Sequence, residues 1–197
     1  MKTDASTQVD FLRENFSVLA ASCQPLWHPL GFVSCVIRDE PRCLVVRVHY
    51  WPKHERRTKN PDWPIHTHVY DLSSLVLMGR VRDVQYREKS GSEYAVYSVS
   101  YKDADSSIGR TDRDLSIELS VDQYHVAGEQ YFVPVGSFHQ TMVPSDETAL
   151  TLVALSSFQD KVPLVLGQPG DQSYPYNRIP FDQETFWSTV EQALAKR

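Results

Sequence analysis

Apolar and polar positions change their period twice along this chain, once near residue 32 and again near residue 182. Over residues 7–22, Phe11, Leu12, Phe16 and Leu19 recur at helical spacing and Thr7 with Asp10 makes a capping start, which predicts an amphipathic helix. The segment from Pro25 to Gly31 breaks it, and His28, between Trp27 and Pro29, reads as a loop histidine. From Phe32 onward the period is two. Strands are predicted over Phe32–Arg38 and Cys43–Trp51 across a turn at Asp39–Arg42, then over Ile65–Tyr70, Leu75–Lys89 and Ser92–Tyr101, with Ser90-Gly91 as a hairpin. Asp103–Gly109 reads as a polar turn and Arg110–Tyr124 as one or two strands. Phe138–Val143 and Ala149–Ser157 complete the set. So many short strands with turns between them predict an antiparallel sandwich or barrel. Gln159–Pro180, with four prolines and two glycines, predicts irregular chain wrapping the surface. Asp182 then caps a closing helix to Arg197, with Phe186, Trp187, Val190 and Leu194 as its apolar stripe and Lys196-Arg197 at its negative end. The expectation is one domain over residues 1–197: helix 7–22, β-barrel 32–157, wrapping loop 159–180 and helix 182–197.

Composition narrows the function classes. At 197 residues, with 41% hydrophobic and 23% charged residues, the chain suits a soluble domain with a sizeable core. A net charge of −5 argues against a partner held by its phosphate backbone, so no nucleic acid is expected. No apolar run approaches the roughly 20 residues that span a bilayer, and Met1–Ser6 lacks the apolar core of a signal peptide. Cys23, Cys35 and Cys43 are an odd count without metal spacing. Reduced thiols in a cytoplasmic protein, as a monomer or homodimer without membrane contact, are the expectation.

The candidate chemistry lies in two stretches that must meet. In Pro64–Tyr70, His66 and His68 stand two apart on a strand-like segment, so both imidazoles leave one face. In Gly128–His139, Pro134 and Gly136 make a turn that re-aims the chain toward His139. Three histidines with open positions are the parts of a mononuclear metal centre; three metal-free histidines are the bland alternative. Nitrogen ligands are compatible with iron, zinc, nickel or copper. On the early strand Cys43–Trp51, Arg47 and His49 share a face opposite Val46, Val48 and Tyr50. Arg47 faces either solvent or a cavity, where its planar fork would clamp a carboxylate. Pro52–Trp63 reads as a solvated basic loop, with His54 given no role, and His125 as background.

The spacing Gly128-x5-Pro134-x-Gly136-x2-His139 resembles the second cupin motif, and His66-x-His68 followed by Gly79 resembles the first. Together they cover roughly residues 60–145. The resemblance implies an all-β fold, a cupin-type antiparallel double-stranded β-helix or jelly-roll barrel with N- and C-terminal helices. Most cupins add a glutamate ligand four or five residues after the second histidine, where this chain has Leu72 and Ser73. Asp71, three after His68, is sent by strand parity to the other face and reads as non-ligating. Three histidines without a carboxylate resemble the thiol dioxygenase branch, such as cysteine dioxygenase. That branch implies iron(II), dioxygen, a small-molecule substrate and an arginine on an early strand holding the substrate carboxylate, which points to Arg47.

The surrounding machinery differs. The branch's Ser-x-His-x-Tyr would fall at Thr151, Val153 and Leu155, and the cysteine of its crosslink at Ser73. Expected substrate-binding residues are Arg47, His49 and Tyr70, and expected catalytic residues Ser73 and Thr151. The expected activity is iron-dependent oxygenation of a small polar, amino-acid- or amine-like substrate other than free cysteine. The alternatives are a non-redox metal cupin, an isomerase or lyase, and a small-molecule-binding cupin without turnover.

Overall fold

Alternation along the strands is realised as two packed antiparallel sheets in the computed structural model, which describes residues 4–102, 105–170, 173–176 and 178–196. A 3₁₀ turn, Ala5–Gln8, leads into α1 (Val9–Glu14) and α2 (Phe16–Ser22). Short strands β1 (Leu26–Trp27) and β2 (Leu30–Gly31) precede β3 (Val33–Glu40), β4 (Leu44–Trp51) and β5 (Arg57–Thr58). Then come β6 (Asp71–Met78), β7 (Arg80–Lys102), β8 (Asp105–Val126), β9 (Gln130–Val133), β10 (Phe138–Met142) and β11 (Ala149–Ser156). Two further short strands, β12 (Leu164–Gly167) and β13 (Ser173–Tyr176), precede the closing helix α3 (Gln183–Ala195).

One sheet has the order β1-β3-β4-β11-β6-β9 and the other β10-β7-β8-β13, with β12 also beside β7. The residues around His66 pair with His139 of β10, so they extend the second sheet. The chain therefore passes from β4 in the first sheet to the His66 segment in the second. It returns for β6, crosses for β7 and β8, returns for β9, crosses for β10, returns for β11 and crosses once more for β12 and β13. That alternating path is a jelly roll, the double-stranded β-helix.

Period two explains the layering. Val46, Val48, Leu150 and Leu152 point outward from the first sheet into a cluster with Leu12, Leu19, Phe186, Trp187 and Val190 of the helices. Trp51, Val76, Val153 and Leu155 point inward and pack with Tyr131 and Val133. Each such side chain, fully buried, contributes about 1.5–3 kcal/mol, so the helices act as a lid on the sheet's outer face. No helix among the described residues is long and apolar enough to cross a membrane.

Several boundaries differ from the sequence expectation. The helix over 7–22 is broken at Asn15, whose side-chain amide donates back to the Phe11 carbonyl at 2.8 Å and competes with the helical ladder. Its cap is Asp4, accepting from the Ser6 amide at 2.8 Å, rather than Thr7. The predicted Leu75–Lys89 strand is divided at Gly79, where φ is +75° and an added Cβ would stand 2.1 Å from the Thr148 carbonyl oxygen. Ser90-Gly91 is not a hairpin. The chain runs straight on through β7, and the register with β8 shifts between Lys89 and Tyr94, so the glycine accommodates an irregularity against Ser116. Of the polar turn predicted over Asp103–Gly109, residues 103 and 104 lie outside the described residues, as does Arg197, and Asp105–Gly109 already belong to β8 because they pair with β7 and β13. Gln159–Pro180 is not wholly irregular, because β12 and β13 pair with β7 and β8. The closing helix begins as expected, with Asp182 accepting from the Thr185 amide at 2.8 Å.

Candidate metal centre

His66 sits in a short extended stretch stitched on both sides. Its amide donates to the His139 carbonyl at 3.0 Å and its carbonyl accepts from the His139 amide at 2.9 Å. On the other side Thr67 donates to the Leu164 carbonyl at 2.8 Å and Leu166 donates to the Ile65 carbonyl at 2.9 Å. Residues directly opposite in an antiparallel pair share a face, and so do residues two apart on one strand. Mutual pairing of His66 with His139, and the two-residue step to His68, therefore bring three imidazoles to one spot. The regular strand predicted over Ile65–Tyr70 is confined to this stretch, because the chain bends at Val69–Tyr70.

The turn that delivers His139 is built for it. Ser137 donates to the Pro134 carbonyl at 3.1 Å, and Gly136 has φ +79°, the conformation a type II turn requires at its third residue. Gly136 donates to the His68 carbonyl at 3.0 Å, and the Val135 amide donates to Asp71 Oδ1 at 3.0 Å. Asp71 is not among the clustered ligand atoms. Its carboxylate instead ties β6 to the turn.

The ring nitrogens of His66, His68 and His139 lie within 4.8 Å of one another. His68 Nε2 and His139 Nε2 are 2.9 Å apart, and the three ring centroids are separated by 4.6–4.9 Å. Two nitrogens bound at 2.0–2.1 Å to one ion at a right angle would stand about 2.9 Å apart, so the spacing fits a shared metal. His66 Nδ1 lies 2.8 Å from the Pro64 carbonyl; donating there leaves Nε2 unprotonated and aimed at the cluster. Burial pushes all three imidazoles below their ordinary pKa, and for His68 and His139 the neighbouring His66 adds to it. They are thus neutral, the ligating form. These residues could hold a metal ion without a carboxylate.

The cluster faces a cavity of about 390 Å³, which continues inward into a smaller space of about 60 Å³ bounded by His139. Arg47 lines both, so β4 presents it inward and not to solvent, with Nε buried and without a hydrogen bond. His49 lines the inner space against Phe32 and Trp51; burial, then the charge of Arg47, lowers its pKa to about 3. Tyr70 lines the cavity and stacks on His68 at 4.8 Å. Val153 and Leu155 make the inner wall apolar, as their alternation on β11 predicts.

Two expected catalytic residues lie elsewhere. Ser73 is on the far side of β6 from Leu72, which faces the cavity, and its Oγ accepts from the Ala5 amide at 3.1 Å. Counting parity through the bend at Val69–Tyr70 misplaced it. Thr151 shares the inward face of Val153 and Leu155 but is fully buried among side chains and lines neither space.

Other lining residues were missed or set aside. His28, read as a loop histidine, stacks on Phe32 at 4.4 Å and faces the cavity. Lys59 and Trp63 make the loop before the first motif a cavity wall, held by β5 pairing with β2. Arg178 enters from the supposed wrapping segment. Tyr131 and Thr141, with Oη and Oγ1 3.4 Å apart, face the inner space.

No family model matches the chain, and no curated protein matches it. Solved structures do resemble it. An RmlC-like cupin from Shewanella frigidimarina matches at 12% identity and TM-score 0.42, covering 71% of this chain and 88% of that one. A DMSP lyase from Ruegeria pomeroyi matches at 15% identity and TM-score 0.45, covering 78% and 66%. Hydroxypropylphosphonic acid epoxidase from S. wedmorenis matches at 16% identity and TM-score 0.39, covering 70% and 56%.

Proposed function

We propose that the chain is a metal-dependent cupin enzyme, an oxygenase that uses iron(II) on His66, His68 and His139 to oxidise a small carboxylate-bearing molecule other than free cysteine. The observation that carries this reading is the convergence of three buried imidazoles at the inner end of a cavity, with an arginine in its wall whose Nε makes no hydrogen bond. An iron(II) ion with three neutral ligands would keep its full charge and open positions, and would supply redox chemistry with dioxygen to an anionic substrate beside it.

The chain's own residues do the rest. Arg47 binds and orients the substrate's carboxylate through its planar fork. Trp51, Val153 and Leu155 keep the inner space dry, which strengthens each electrostatic contact there. His49, its pKa lowered to about 3 and its Nε2 free of hydrogen bonds, stays neutral and is placed to hydrogen-bond a group in that space without taking up its proton. Tyr70 and Tyr131 supply phenol groups along the same wall. Of the amino-acid- and amine-like substrates, the acids fit, because a free amine would enter a cavity already lined by cations.

Oxygen uptake tests the reading. Anaerobically purified, iron-loaded protein given candidate amino and keto acids should consume dioxygen in step with substrate, and His139→Ala should not. Turnover that proceeds at the same rate without dioxygen would replace the oxygenase with a lyase or isomerase in which the metal acts as a Lewis acid.

A further inference from the structure

Arg47 is not the only cation in the cavity. Arg178, on the segment that leads to the closing helix, and Lys59, next to β5, line the same space. No aspartate or glutamate lines it among the described residues, and none of the three cations has an ion-pair partner there. Arg178 has its Nε buried and unbonded, just as Arg47 does. Elsewhere this protein satisfies its half-buried arginines: Arg38, Arg82 and Arg110 pair with Glu40, Asp122 and Asp114, and Arg56 donates to the Pro144 and Glu147 carbonyls.

Two guanidiniums close enough to repel, with buried donors unmet, are costly unless an anion sits between them. Arg178 is held below its ordinary pKa first by burial and next by the charge of Arg47, which places the two side chains in each other's field. Lys59 is lowered by burial to about 8, so it is still largely charged near neutral pH. Arginine cannot relieve the repulsion by losing its proton. A single carboxylate would answer Arg47 alone and leave Arg178 and Lys59 uncompensated. Tyr101 and Ser106 add hydroxyl groups on this side, while Trp63, Val99 and Ile108 form an apolar flank.

We propose that the outer part of the cavity is a dianion site, in which Arg47 and Arg178, assisted by Lys59, hold a phosphate, phosphonate or second carboxylate group of the substrate. The substrate class is thereby a small molecule with a doubly charged head and a short, partly apolar body reaching toward the histidines. This rests on the proposed metal-centre reading for which end reacts, but the anion site is a property of the arginines alone.

The test is titration calorimetry at low ionic strength and neutral pH with sulfate and succinate as dianions, methylphosphonate as a head group able to give up its second proton in the site, and acetate as the monoanion, on wild type and on Arg178→Gln, Arg47→Gln and His139→Ala. Circular dichroism and thermal melting keep folding separate from binding. Sulfate, methylphosphonate or succinate should bind at one site per chain, and more tightly than acetate. Each arginine substitution should weaken that binding by about tenfold or more, the range for losing a hydrogen-bonded charge partner, and His139→Ala should leave it within about twofold. Which dianion binds best identifies the head group. Absence of saturable binding by all three, or equal binding by folded arginine variants, would overturn the proposal. Loss of metal with intact dianion binding would remove the metal reading and leave this one standing; bound metal without dianion binding would do the reverse.

Discussion

Replacing Asp71 separates a metal ligand from a group that positions one. In the structure the Asp71 carboxylate accepts the Val135 amide at 3.0 Å and takes no place in the histidine cluster. That bond fixes the turn whose next residue, Gly136, donates to the His68 carbonyl, so it joins the two motifs. A hydrogen bond to a charged group is worth about 1.5–3 kcal/mol, and the half-buried position reduces this to about 1–2 kcal/mol for Asp71→Ala. For a chain of this size the loss corresponds to a fall in melting temperature of about 2–8 °C. Asp71→Asn retains a carbonyl oxygen at the same place and should lose less than half as much. Metal affinity should follow the same order. Asp71→Asn should bind metal almost as wild type, and Asp71→Ala more weakly, by about tenfold, as is usual when a group that orients a ligand is removed. Melting curves and competitive metal titration on the same preparations provide both readings. Stoichiometric loss of metal in Asp71→Asn, with the fold and melting temperature unchanged, would refute the positioning role and make Asp71 a ligand.

Other substitutions probe the frame and the chemistry. Gly79→Ala should cost about 3 kcal/mol or more, because a left-handed φ is combined with a clash against the Thr148 carbonyl, whereas Gly136→Ala meets nothing within 4 Å and should cost only about 1–2 kcal/mol; equal urea midpoints for the two would contradict this. Asp83, 1% exposed, has its pKa raised chiefly by burial, with Gln85 and His125 partly offsetting it. A carboxyl whose folded pKa lies above its unfolded one loses stability as pH rises through that interval, so the stability of Asp83→Asn relative to wild type should improve as pH rises above the ordinary aspartate value of about 4. A pH-independent difference in unfolding free energy would exclude the effect. Free cysteine should not be converted to its sulfinate by iron-loaded protein, since Val153 and Leu155 stand where the thiol dioxygenase branch has polar groups; saturable sulfinate formation would overturn that.

How much of this was legible in the residues depended on whether the signal was local. The two cupin-like motifs named His66, His68 and His139 because a turn residue and a two-residue step are short-range features. Clean alternation in β4 assigned Arg47 and His49 to one face, and alternation in β11 assigned Val153 and Leu155 to another. Ser73 failed because parity only counts within an unbroken strand, and the chain bends at Val69–Tyr70 before β6 begins. Ser90-Gly91 carries the composition of a hairpin, yet long-range pairing of β7 with β8 overrides it. Lys59 and Arg178 had no local signature. Both lie in proline-containing connections, and only the closure of those connections over the barrel mouth turns them into a cavity wall.

Metal content tests the central claim most directly. Protein purified anaerobically without chelators, together with His66→Ala, His68→Ala and His139→Ala, should be analysed by plasma mass spectrometry, with circular dichroism on each sample. Wild type should carry close to one equivalent of a transition metal, iron foremost, and each variant should lose most of it while keeping the β-rich spectrum. Full occupancy in any two of the folded variants, or a wild-type protein that takes up no metal when iron(II) is supplied, would contradict the three-histidine centre.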